Sequence, residues 1–123
     1  MTNYTGTIIE ESLEYKDVLG KLKIIETVVE SVNNEHKTPW LKQWTLHKVA
    51  IEENRADKIA ENLSESLDSK HSSWYADFRN DSFHYVIFYK KIFKVDLSKK
   101  DGYKDAVNYG ISIGIPDYQL DFK

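Results

Sequence analysis

The side chains best suited to chemistry lie between His71 and Tyr89, in the stretch HSSWYADFRNDSFHYVIFY. Within it, Asp77 and His84 are a carboxylate and an imidazole that two adjacent strands would bring together. A carboxylate that accepts a hydrogen bond from an imidazole orients the ring and selects its tautomer, so the pair suits general acid–base work. The plainer expectation is a polar cross-strand pair on a sheet surface. Trp40, Trp44, His47, Tyr75 and Arg79 are the candidate ligand-binding residues. They offer aromatic surfaces for stacking, a second imidazole, and a guanidinium for an anion or a nearby carboxylate, of which the local carboxylate is the favoured partner.

Other chemistries lack their patterns. His36, His47, His71 and His84 have neither the i, i+4 spacing of a helical metal site nor the H-x-H spacing of a strand site. A metal centre would have to assemble from His47, His71, His84 and Asp77 across strands, and neither a metal nor a cofactor is expected. His36 and His71 fall in polar loops and read as solvated. The five glycines are dispersed and form no phosphate loop, and no G-x-S-x-G elbow occurs. Ser72 and Ser73 beside His71 do not by adjacency make a catalytic triad.

The Asp77–His84 pair depends on how a hairpin is zipped. Trp74 to Arg79 and Phe83 to Tyr89 are rich in aromatic and β-branched residues, and Asn80-Asp81-Ser82 between them is turn chemistry. A two-residue loop at Asn80-Asp81 sets Asp77 opposite His84 and Tyr75 opposite Val86. Trp74, Ala76, Phe78, Phe83, Tyr85 and Ile87 then share a core face, and Tyr75, Asp77, His84 and Val86 share a mixed one. A shift by one residue would separate the pair.

The other elements follow from periodicity. Gly6 to Glu11 reads as a strand, 12–20 as a connection with one helical turn, and Leu22 to Val32 as a second strand. Ile25, Val28, Val29 and Val32 also fit a helix, but β-branching favours the strand. After a polar loop (33–39), Trp40 to Ile51 alternates as a long strand. Asn54 to Leu67 is a helix with Asn54 as its cap and a stripe of Ala56, Ile59, Ala60, Leu63 and Leu67. Beyond the hairpin, Lys90-Lys91 turns into a short strand, Ile92 to Val95. A second helix starts at Ser98, buries Tyr103, Ala106, Val107 and Gly110, and stops at Gly110 or Gly114. Asp117 to Phe122 is an edge strand or a docked turn. The fold class is α+β: one mainly antiparallel sheet with two helices on one face. With a strand in the tail it becomes ferredoxin-like with an added N-terminal hairpin. The sheet's other face then needs solvent, a ligand or a second subunit.

Composition bounds the function. The chain has 123 residues, the size of a single domain, with 41% hydrophobic and 30% charged residues. No apolar run approaches a membrane span, and the N-terminus lacks the pattern of a signal peptide. With no cysteine, the expected location is the cytoplasm. A net charge of −3 counts against nucleic acid as a partner. Lys90, Lys91, Lys94, Lys99, Lys100 and Lys104 read as solubility and turn residues.

At TPWLKQW, HSSWYADFRND and GIPDYQLDF the chain resembles a set of small, uncharacterised prokaryotic proteins. The resemblance implies a shared fold and carries no activity. The residues themselves lead to a non-enzymatic ligand-binding or protein-interaction domain that uses an aromatic-rich sheet face, as a homodimer through its uncovered side. The alternative is a small enzyme using the Asp77–His84 pair.

Overall fold

The alternation seen in the sequence becomes one antiparallel sheet in the computed structural model, which describes residues 3–32, 41–69, 74–99, 101–120 and 122. Its strands are β1 (Tyr4–Ile9), β2 (Lys23–Ser31), β3 (Gln43–Ile51), β4 (Tyr75–Arg79), β5 (Phe83–Phe88) and β6 (Lys91–Asp96). The order across the sheet is β2-β3-β1-β4-β5-β6, with every neighbouring pair antiparallel. The strand reading of β2 therefore prevails over the helical one. β1 lies between β3 and β4, and Gly6 lets it do so. A Cβ there would stand 2.1 Å from the Asp77 carbonyl oxygen and 2.6 Å from the Phe78 Cα. Those neighbours are backbone and cannot swing aside.

Two α-helices, α1 (Ala56–Ser66) and α2 (Lys104–Ser112), accompany the sheet among the described residues. The α1 stripe of Ala56, Ile59, Ala60 and Leu63, with Leu67 beyond it, is buried as expected against Ala76, Phe78, Tyr85 and Ile87. Ala106 of α2, with Ile115, Leu120 and Phe122 after it, instead joins Val86 and Phe88. Successive strand residues point to opposite sides, so the helices cover opposite faces. This corrects the expectation of two helices on one face. The reason is β5: all of FHYVIF beyond Phe83 is buried, and a strand apolar on both sides needs cover on both.

The ferredoxin-like order is corrected too. The tail forms a 3-10 turn at Asp117–Gln119, so the final strand of that pattern is missing among the described residues. Two expected caps also differ. α1 is entered through a 3-10 turn, Glu53–Arg55, and no side chain caps it. The Ser98 hydroxyl and amide bond the Asp96 carboxylate in a turn after β6, ahead of α2. The C-terminal signal holds: Gly114 has φ +96, its amide reaches the Ile111 carbonyl, and the Ile115 amide reaches Gly110. That bond pattern closes a helix on a left-handed residue, which glycine adopts without strain.

The hairpin register moves by one rung. Asp77 lies opposite Val86, Phe78 opposite Tyr85 and Arg79 opposite His84. The Asn80 amide bonds the Phe83 carbonyl and the Asn80 side chain accepts from the Ser82 and Phe83 amides, so the loop is Asp81-Ser82 rather than Asn80-Asp81. The shift preserves which residues share a face. Asp77 and His84 become diagonal neighbours instead of opposed ones.

Candidate functional site

Registers on the second face gather one set of side chains. Thr7 pairs with Asp77 across β1 and β4, and Ile9 pairs with Leu46 across β1 and β3. Trp44 is two residues from Leu46 and points the same way. Trp74 and Tyr75 enter from the start of β4, and Ile115 and Gln119 from the segment after α2. Together these residues line a cavity of about 300 Å³. α2 and its tail pack on β4–β6 on this face, and Ile115 and Gln119 of that segment meet Thr7, Ile9, Trp44 and Leu46 at the cavity. The Trp44 and Trp74 rings meet at 5.4 Å and 58°. The Tyr75 hydroxyl donates to the Gln119 carbonyl at 2.5 Å and ties the tail to the sheet. Trp74 is buried, and its indole N–H has no acceptor among the described residues.

Behind the cavity runs a chain of three polar groups. His84 Nε2 lies 2.7 Å from Asp77 Oδ2, and His84 Nδ1 lies 2.8 Å from the Tyr103 hydroxyl. Burial raises the Tyr103 pKa; the nearby Asp77 charge adds to this and Arg79 opposes it. The phenol therefore keeps its proton at neutral pH. A neutral His84 satisfies both contacts when Tyr103 donates to Nδ1 and Nε2–H donates to the carboxylate. Phe122 stacks on Tyr103 at 5.6 Å and meets His84 edge-on at 6.1 Å, fixing both rings. His84 is 1% exposed, whereas the Asp77 side chain keeps 31% of its surface open. The group that can meet a ligand is thus Asp77; His84 and Tyr103 hold it from behind.

The candidate residues divide. Asp77 and His84 do touch, and Trp44, Tyr75 and Asp77 line the cavity. His47 is on the other face, where its Nε2 is 2.9 Å from Glu10 Oε1 and its Nδ1 is 2.9 Å from the Thr27 hydroxyl. His47 and His84 therefore cannot share a metal, and among the described residues no three His, Asp or Glu side chains form a metal-binding group. Arg79 is exposed at the end of β4, outside the cavity lining. The ion pair expected for it is not formed among the described residues. Trp40, His36 and His71, the 33–39 loop, and Ser72 and Ser73 lie outside the described residues.

Sequence reasoning missed Thr7, Ile9, Leu46, Ile115 and Gln119 as lining residues, and Tyr103 as a polar partner. No local spacing marks them, because β1, β3 and the tail are brought together only by strand order. Trp74 was expected in the core; it is there and also walls the cavity. The Glu10–His47 contact was missed as well. Its bond from His47 holds Glu10 below the usual carboxylate range, with the Lys16 ammonium at 3.7 Å adding to the effect and burial opposing it.

No protein-family model, curated protein or solved structure matches this chain. Among the described residues, no helix is long and apolar enough to cross a membrane.

Proposed function

We propose that this protein is a cytoplasmic, non-enzymatic binding domain for a small organic molecule that carries an aromatic or aliphatic body and a cationic amine. One observation carries the reading: aromatic and aliphatic walls from Trp44, Trp74, Tyr75, Ile9, Leu46 and Ile115 surround Asp77, the one carboxylate among the described lining residues. Apolar walls with few polar groups suit a small ligand. A cation is drawn both to ring faces and to the carboxylate. The Asp77 oxygen not engaged by His84 is the acceptor for the amine.

The test is a titration followed by tryptophan fluorescence, because Trp44 and Trp74 both line the cavity. Benzylamine should bind, benzyl alcohol more weakly, and benzoate least. Asp77→Asn should weaken the amine about tenfold and leave the alcohol nearly unchanged. Equal binding of all three compounds, or none, would reject the reading.

A second reading makes the same site a small enzyme with Asp77 as general base. The Asp77–His84–Tyr103 chain favours it, since that chain fixes the carboxylate's orientation and gives it a proton partner. Turnover of a ligand found by the titration, abolished in Asp77→Asn, would separate it from simple binding.

A further inference from the structure

Among the described strands, β2 is the one whose residues are all exposed. It lies at one edge of the sheet, and its residues are exposed on both sides. Ile24, Ile25, Val28 and Val29 are 41%, 55%, 50% and 57% exposed. A nine-residue edge strand carrying four open aliphatics, with no second strand beside it among the described residues, is a template for another strand.

The pattern of β2 is complementary to itself. Ile25 is a bulge: Ile24 pairs with Val49 and Glu26 with Lys48, leaving Ile25 as the extra residue. Lys23, Glu26, Val28 and Glu30 therefore point to the cavity face, and Ile24, Thr27 and Val29 to the α1 face. A two-fold axis through Thr27, normal to the sheet, keeps like faces together once the bulge is skipped in each copy. Thr27 then meets Thr27, Glu26 meets Val28, Ile24 meets Val29, and Lys23 meets Glu30. A single register thus supplies two aliphatic pairs on one face and two opposite-charge pairs on the other.

We propose that the partner of β2 is a second copy of this chain, joined antiparallel about Thr27 so that two sheets become one. The dimer replaces the one expected through an uncovered face, and it is independent of what the cavity binds.

Sedimentation of the full chain at about 100 µM should give twice the 14.4 kDa chain mass. Lys23→Glu and Glu30→Lys should each raise the dimer dissociation constant about tenfold, and the double variant should restore it. Because the chain has no cysteine, Thr27→Cys should oxidise to a covalent dimer while Ser31→Cys stays uncrosslinked. Circular dichroism checks that each variant folds. A monomer at that concentration, as when the edge takes a strand from a different protein, overturns the proposal. So does a dimer that neither crosslinks at position 27 nor responds to the charge swap.

Discussion

His47 and His84 sit on opposite faces of one sheet, and each is clasped between a carboxylate and a hydroxyl. For His47 these are Glu10 and Thr27; for His84 they are Asp77 and Tyr103. The two carboxylates are almost equally open, at 33% and 31% of side-chain surface. What differs is the company they keep. Glu10 has the Lys16 ammonium beside it, and Thr27 belongs to an exposed edge strand. Asp77 looks into an aromatic cavity, and Tyr103 is packed under Phe122. The same three chemical groups thus make a surface brace in one place and a candidate binding anchor in the other. Residue type and contact do not distinguish the two; the walls around the carboxylate do.

Deleting either imidazole tests how far the two braces differ. His84→Ala should cost roughly 3 kcal/mol in urea unfolding, because it leaves a void between α2 and β5 and strips the partners of Tyr103 and Asp77. His47→Ala should cost only about 1 kcal/mol, since water can reach the groups it leaves. Equal costs would mean that the two braces are energetically alike. Next in size, Tyr103→Phe should lose about 1 kcal/mol, against at most about 0.5 kcal/mol for Thr27→Val. A larger loss from Thr27→Val would reverse the assignment of the buried member.

The smallest effect is on acid stability. The folded state holds the Glu10 pKa below its ordinary 4.5. Its contribution is therefore present above about pH 4.5 and fades as pH falls through the lowered value. The stability gap between the parent chain and Glu10→Gln should narrow between about pH 6 and about pH 3. A gap that stays constant would show that the Glu10 carboxylate gains nothing from His47 and Lys16.

Much of this architecture is legible residue by residue. The stripe from Ala56 to Leu67 specifies a helix and its buried side, and alternation in QWTLHKVAI specifies β3 and the side each residue takes. The hairpin parity also survived a one-rung slip, because turns that differ by a whole pair leave faces unchanged. That is why Asp77 and His84 still meet although they are not opposed. The failures came where pattern is silent. β5 is apolar on both sides, which points to two covering layers but does not say which helix supplies each. Asn54 and Ser98 both look like helix caps, yet each lies in a turn ahead of its helix, and local spacing cannot separate those two uses.

Sequence alone determined the identity of the strands, the stripe of α1 and the sharing of a face by Asp77 and His84. These depend on periods of two or 3.6 residues within short windows. The bracing of His84 by Tyr103, the gathering of Thr7, Leu46 and Gln119 with Trp44 around Asp77, and the open position of β2 at the edge belong to the assembled fold. Those are outcomes of strand order and of the side on which α2 lands. Both are chosen by the free energy of the whole assembled core, to which residues far apart in the chain contribute together.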